Sequence, residues 1–269
     1  MNSFNLKNNQ RAYNFLRLVK RRSIELSYYL ASGLKKLNEP NKKFVIYGQG
    51  RTGSELLCSL LDSHPKIQCD KEILAHHVFF PKLFIKGKYL ACNQDAYGFK
   101  VKIYQLQDVQ KLEPRKFMTE LLNDDWKIVH IKRNNILRQA ISWQVAEQRK
   151  QYHVKSKNQK LSTEKVTIDC NLLLEHMKYR EMYQKTDEKV LENLPYLTVV
   201  YEEDLLPESK HQATVDKICD YLNIASVLVK TNFVRLTPDK LSELIENYEE
   251  FVNVIAQSKY AKFLTVDKY

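Results

Sequence analysis

Apolar positions along the chain follow two alternating rhythms. Short, largely apolar runs of strand length occur at Lys43–Tyr47, Lys66–Cys69, Tyr97–Ile103, Lys127–Ile131 and Leu197–Tyr201. Between them, at 54–63, 108–122, 136–151, 171–193 and 209–222, apolar residues recur every three to four positions, as a helix with one buried face requires. In the first of these stretches Leu56, Leu57, Leu60 and Leu61 carry the pattern. Strand and helix in alternation predict an α/β fold: one domain, a three-layer sandwich with a central parallel sheet of about five strands and helices on both faces. A chain of 269 residues is long enough to bury one sizeable core. No Pro/Gly/Ser linker divides it, and no internal repeat appears. Sheets of this kind bind ligands beyond the carboxyl ends of their strands. The loops after the strands therefore come first.

The loop after the first strand carries chemistry. Phe44-Val-Ile-Tyr-Gly-Gln-Gly-Arg-Thr-Gly-Ser-Glu-Leu-Leu57 runs from strand through a glycine-rich turn into a helix. Backbone N–H groups of such a loop and the helix dipole together favour an anion. Arg51, inside the loop, adds a bidentate-capable positive charge. Gly48, Gly50 and Gly53 match the dinucleotide fingerprint, with Asp70 about 20 residues on, so a Rossmann NAD(P) oxidoreductase is one reading. A nucleoside triphosphatase P-loop would need lysine where Ser54 stands. The third reading has Arg51 gripping a terminal phosphosulfate.

A second motif favours the third. Trp126-Lys-Ile-Val-His-Ile-Lys-Arg-Asn-Asn-Ile-Leu-Arg-Gln-Ala-Ile-Ser-Trp143 reads as a buried strand followed by a helix, with Arg133 at the strand's end and Ser142 within the helix. With both motifs, the sequence over roughly residues 42–264 resembles the sulfotransferases that use 3′-phosphoadenosine 5′-phosphosulfate (PAPS), and most of all the bacterial enzymes acting on carbohydrates and glycolipids. Gln49-Gly-Arg-Thr-Gly-Ser54 is similar to their P-loop-like 5′-phosphosulfate loop, and Arg133 through Ser142 to their 3′-phosphate motif. Tyr97-Gly-Phe-Lys-Val101, Val199-Val-Tyr-Glu-Glu-Asp-Leu205, Ile218-Cys-Asp-Tyr-Leu-Asn-Ile224 and the segment from Lys230 to Leu264 fall in the family's order.

The resemblance implies a sulfotransferase domain over 41–269, preceded by a basic, amphipathic helical extension over 1–40. It implies PAPS as donor, adenosine 3′,5′-bisphosphate (PAP) as product, a glycan or glycolipid hydroxyl as acceptor, and no metal. Gly50, Arg51, Thr52, Gly53, Ser54 and Glu55 would surround the 5′-phosphosulfate, and Arg133 with Ser142 the 3′-phosphate. Arg51 would also offset charge on the leaving oxygen. Glu72, just after the second strand, falls where related bacterial enzymes place the general base, a role helped by a pKa raised through burial. His76 and His77 are the runners-up, while Asp70 and Lys71 read as turn residues.

Two positions depart from the family pattern. Arg133 and Ser142 are nine residues apart where eight is usual, which suggests a contact shared with Lys132. Glu55 replaces a hydroxyl residue, and Thr52-x-x-Glu55 fits a capping box that would turn the carboxylate back to the helix start. A catalytically inactive nucleotide binder of the same fold is the remaining alternative.

Composition adds a net charge of +11, which suits an anionic partner, yet no nucleic-acid-binding motif is present and none is expected as a partner. Five cysteines form no metal or C-x-x-C spacing, and the first 30 residues lack a continuous apolar run. A reduced, cytoplasmic protein is expected. Over 11–38, Phe15, Leu18, Val19, Arg22, Leu26, Tyr29, Leu30, Gly33, Leu34 and Leu37 trace a helical stripe among basic residues, which either covers the fold's own core or lies peripherally on an anionic membrane. Residues 149–165 carry six Lys or Arg against Glu164 alone, either as a solvated loop or as a cover over the donor. Trp143, Trp126 and the 16 tyrosines are candidate stacking surfaces for sugar rings.

Overall fold

The computed structural model of the chain describes residues 2–33, 40–150, 164–233 and 237–264, with side chains from Tyr13 onward. Five strands, β1 (Lys42–Gly48), β2 (Ile67–Asp70), β3 (Ala96–Val101), β4 (Trp126–Lys132) and β5 (Tyr196–Val200), form one all-parallel sheet in the order β2-β3-β1-β4-β5. Period-two alternation sorts β1 between its faces. Phe44 and Ile46 pack with Leu57, Leu60, Val215 and Ile218 on one side, and Val45 and Tyr47 with Phe84, Phe117 and Met118 on the other. Helices α2 (Ser54–Asp62) and α7 (His211–Leu222) supply the first layer, and α3 (Pro81–Ala91) and α4 (Pro114–Asn123) the second. Helices α5 (Ile136–Gln148), α6 (Cys170–Leu191) and α8 (Tyr248–Ala256) close a third core around Leu137, Ile141, Leu173, Met177 and Phe251.

The expected α/β sandwich is therefore present, with its strands within two residues of the expected bounds. Two strands stop early. Tyr97–Ile103 was expected throughout but ends at Val101, and Leu197–Tyr201 ends at Val200. In both, a side chain takes the amide that would have continued the ladder. Gln105 accepts from the Lys102 amide at 3.0 Å, and Asp204 from the Val200 amide at 2.6 Å. Each strand then opens into a wide π-helical turn, Gln105–Val109 and Tyr201–Leu205. Helix α3 had no clear apolar period to announce it. Asp70 is the last residue of β2 rather than a turn residue. It pairs with Lys88 at 2.8 Å and accepts from the Tyr97 hydroxyl at 3.1 Å.

Helix α1 (Asn2–Ser32) leans on α3, and of the described members of the expected stripe Arg22 and Tyr29 take part in holding it to the body. Glu25 and Ser32 are buried and Tyr28 and Tyr29 half-buried, while Phe15, Leu18, Val19, Leu26 and Leu30 are exposed. Gly33 follows the helix, and Leu34 and Leu37 lie outside the described residues. The five cysteines are free and buried. No helix among the described residues is long and apolar enough to cross a membrane.

Candidate active site

The chain leaves β1 toward β2 and β3 on one side of the sheet, and leaves β4 toward β5 on the other. A crevice opens at such a switch point, beyond the strand ends. It holds a cavity of about 520 Å³ whose lining includes Gly50, Arg51, Gly53, Ser54, Glu55, Glu72, Arg133 and Ser142. Eight of the nine expected site residues thus meet there, drawn from four separate segments. Thr52 is the ninth; it is buried and its hydroxyl donates to the Gln49 carbonyl at 2.8 Å.

The loop is braced from behind. Gln139 donates to the Gly50 carbonyl at 2.7 Å, and Arg133 to the Arg51 carbonyl at 3.1 Å. With these carbonyls held from α5 and β4, the loop opens onto the cavity at the start of α2, whose first amides have no intrahelical acceptor. Gly53 caps that helix at φ 86, and a Cβ there would come within 2.6 Å of the Tyr201 ring, so the position needs glycine twice over. Arg51 also has positive φ, 65, unusual for a residue with a side chain.

Arg51 Nε and Nη2 both donate to Ser142 Oγ, at 3.0 and 2.8 Å. Two residues 91 positions apart therefore form one unit. Arg133 lies with its guanidinium 4.4 Å from the Tyr201 ring centroid and 3.6 Å from a Glu202 oxygen. Lys132, which was expected to share an anion contact with Arg133, is exposed at the end of β4 and does not line the cavity. Arg180 of α6 does line it, and burial and then the like charge of Arg51 hold its pKa below the usual value against an opposing contribution from Tyr183.

The expected capping box is not formed, since the N-cap is Gly53 and not Thr52. Glu55 is instead paired with Lys71 and with Lys100, whose side chain rises from the buried carboxyl end of β3. A cation this deeply buried needs partners, and Lys100 has a second one in Glu72 at 3.0 Å. Glu72 also pairs with Lys102 at 2.8 Å and accepts from Gln105 at 2.6 Å. Lys71, Glu55, Lys100, Glu72 and Lys102 thus form a chain of alternating charge from the surface to the cavity. Burial raises the Glu72 pKa, but Lys100 and Lys102 outweigh it, and the carboxyl is held below the ordinary range. The raised pKa expected of this residue is therefore overturned by two lysines. Lys102 continues past Glu72 toward the loop, its Nζ 3.6 Å from where a Gly50 Cβ would stand.

His76 and His77 are exposed and do not line the cavity; Arg22 of α1 reaches the His77 carbonyl at 3.4 Å. Among the described residues, His211 is the histidine that does line it. Trp143 lines the cavity too, with Tyr104, Tyr183 and Phe233, whereas Trp126 is core, edge-on to Phe99 at 5.3 Å. Most of the basic stretch 149–165 lies outside the described residues. Among the described residues, no cluster of three or more His, Cys, Asp or Glu is placed to hold a metal. The sequence reading missed Lys100, Lys102, Arg180 and His211. A lone charge in an apolar strand was the signal that could have found Lys100, but Arg180 and His211 carry no such signal.

No family model matches the sequence, and no curated protein matches it. Among solved structures the chain is similar to a sulfotransferase from Alicyclobacillus acidocaldarius, at 16% identity and TM-score 0.48, over 83% of this chain and 95% of that one. It is also similar to the mouse sulfotransferase SULT7A1 complexed with PAP, at 14% identity and TM-score 0.42, over 89% of this chain and 79% of that one. Similarity at this level assigns no residue a role.

Proposed function

We propose that residues 41–269 form a PAPS-dependent sulfotransferase domain, with 1–40 as an extension, and that its acceptor is a hydroxyl of a carbohydrate or glycolipid. One observation carries this reading: the glycine loop and Arg51 after β1, and Arg133 and Ser142 after β4, face one cavity at the sheet's switch point. Two anion sites, one on each side of the switch point, suit a nucleotide with phosphate at one end and phosphosulfate at the other. Trp143, Tyr104 and Phe233 add stacking surface for a sugar ring.

In the reaction the acceptor oxygen attacks sulfur and the bond from sulfur to the 5′-phosphate oxygen breaks, releasing adenosine 3′,5′-bisphosphate. Such in-line transfer is governed by positioning and charge stabilisation. The loop amides and Arg51 offset charge on the leaving oxygen, and Lys102 brings a second cation beside Gly50. Glu72, kept ionised by its lysines, receives the acceptor proton. Arg133 and Ser142 set the register of the donor through its 3′-phosphate.

The Rossmann reading loses support from the strand order. In dinucleotide-binding sheets β1 and β2 are neighbours; here β3 lies between them, and Asp70 is turned to Lys88 and Tyr97. Because Trp143 lines the cavity, tryptophan quenching by adenosine 3′,5′-bisphosphate, NAD and ATP is the direct test. The bisphosphate should bind most tightly, and tighter binding of NAD would overturn the assignment. Transfer of ³⁵S from labelled donor to glycan and glycolipid acceptors then separates an enzyme from an inactive nucleotide binder.

A further inference from the structure

Helix α1 is fastened to the body by one face only. A Cβ on Gly87 of α3 would lie 1.8 Å from the Tyr28 carbonyl oxygen, so the two helices touch backbone to backbone. Tyr28 packs edge-on to Phe84 at 5.4 Å, and the Glu25 carboxylate accepts from the Phe79 amide at 2.7 Å while pairing with Arg22 and Tyr29. The opposite flank carries Phe15, Val19, Leu26 and Leu30, spaced to form a single stripe on a helix of 3.6 residues per turn. Leu16 borders it. Phe15, Leu16 and Leu30 are 64, 65 and 68% exposed. Every residue from Tyr13 to Arg21 is exposed, so this part of the helix projects past the body. Phe79 and Phe80, held against α1 by Arg22 and Tyr29, are exposed as well and extend the patch. Apolar surface this continuous marks an interaction site.

Charge selects the partner. From Tyr13 to Gly33 the helix bears Arg17, Lys20, Arg21 and Arg22, and its one acid, Glu25, is buried and engaged inward. A second copy of α1 would set these cations against each other. A surface of anionic headgroups over acyl chain matches both the stripe and its cationic borders. Lys20 lies at one border and Arg22, stacked 4.1 Å over Phe79, at the other, where long side chains reach headgroups while the stripe is submerged.

We propose that α1 is an in-plane membrane anchor that rests the molecule on an anionic lipid bilayer. Phe15, Val19, Leu26 and Leu30 enter the acyl boundary, Lys20 at the stripe's border meets the headgroup phosphates, and Arg17 and Arg21, on the flank away from the stripe and toward His76, add attraction at longer range. The inference is independent of what the cavity binds.

Sedimentation of the full chain with vesicles tests it. Binding to phosphatidylglycerol/phosphatidylcholine vesicles should exceed binding to pure phosphatidylcholine by about tenfold or more. Lys20→Glu with Arg21→Glu should lower the partition coefficient on anionic vesicles by about a hundredfold, and Phe15→Ser with Leu30→Ser by at least about tenfold. These positions are exposed and outside the cavity, so the thermal midpoint of each variant should match the wild type, which separates loss of docking from loss of folding. Failure of the wild type to bind anionic vesicles would overturn the proposal, as would undiminished binding by both variants. A wild-type dimer that Phe15→Ser with Leu30→Ser separates, without vesicle binding, would make the stripe a self-interface and equally overturn it.

Discussion

Two N–H groups of Arg51 converge on the Ser142 hydroxyl, and a hydroxyl that accepts twice still has its own proton to donate. The pair therefore joins the two motifs directly. Arg133 stands behind it, and its hydrogen bond to the Arg51 carbonyl holds the loop, a duty separable from the proposed contact with a 3′-phosphate. Arg133→Ala should weaken adenosine 3′,5′-bisphosphate by about 10- to 150-fold more than adenosine 5′-monophosphate, the worth of a charge-assisted pair. Calorimetric titration of both ligands checks this, and equal losses would leave Arg133 only the structural duty. Arg51→Ala should lower kcat by about a hundredfold or more, because its target charge grows toward the transition state; a near-normal kcat would remove it from the catalytic set. Glu72→Gln should bind the bisphosphate normally and lose about 10²–10⁴ in rate. Here the lysines add a further consequence. Since Lys100 and Lys102 lower the Glu72 pKa, Lys100→Met should raise it and move the acidic limb of kcat/KM to higher pH. If Lys100→Met leaves that limb in place while Glu72→Gln is active, the base is another group, with His211 the first to examine.

Helix α6 reaches the loop from below, where the Gln49 amide donates to the Arg180 carbonyl at 3.3 Å and lies 3.4 Å from the Asp187 carboxylate. Asp187 is buried, and desolvation lifts its pKa to about 6 although Tyr47 and Gln49 oppose the shift. A carboxyl whose folded pKa lies above its unfolded value costs stability once ionised. That cost is absent below about pH 4 and complete above about pH 6. Asp187→Asn should remove it, raising unfolding stability at pH 7.5 by about 1–3 kcal/mol and flattening the decline between pH 4 and 6. Denaturant unfolding across that range decides; a destabilised Asn variant would mean that the ionised form is what Gln49 and the loop require. Such links explain the limits of what was legible in the sequence. Elements whose apolar period was unbroken, β1 with α2 and β4 with α5, were readable, and the residues singled out at their junctions do line one cavity. The strand ends were not, because Gln105 and Asp204 stop their ladders by side-chain contacts that leave no periodic trace. Glu55 misled for the same reason. Its spacing from Thr52 suits a cap, but Lys100, 45 residues away, holds its carboxylate.

At the scale of the whole molecule, the strand order puts the two anion motifs on neighbouring strands while their helices depart to opposite sides. β1 pairs with β4 from Lys43 opposite Trp126 to Gly48 opposite Ile131, so the glycine loop and Arg133 emerge side by side. The sequence could announce both motifs and the parallel sheet, but not the insertion of β3 between β1 and β2, which departs from the strand neighbourhood of a dinucleotide site. A ligand spanning the crevice would tie the α2 side of the fold to the α5 and α6 side and so stabilise the entire domain, by about 2.7 kcal/mol at a hundred times its Kd. For a chain of this size that corresponds to a rise of roughly 5–10 °C in Tm. Adenosine 3′,5′-bisphosphate should produce the rise, and adenosine 5′-monophosphate, which engages one motif only, should produce less at equal concentration. With a net charge of +11 the effect should also shrink as salt is raised, since screening weakens attraction for a multiply charged anion. Differential scanning fluorimetry at 50 and 500 mM NaCl measures both. A larger and salt-insensitive shift with NAD would mean that the crevice is built for a different nucleotide, and with it the sulfuryl-transfer reading would fall.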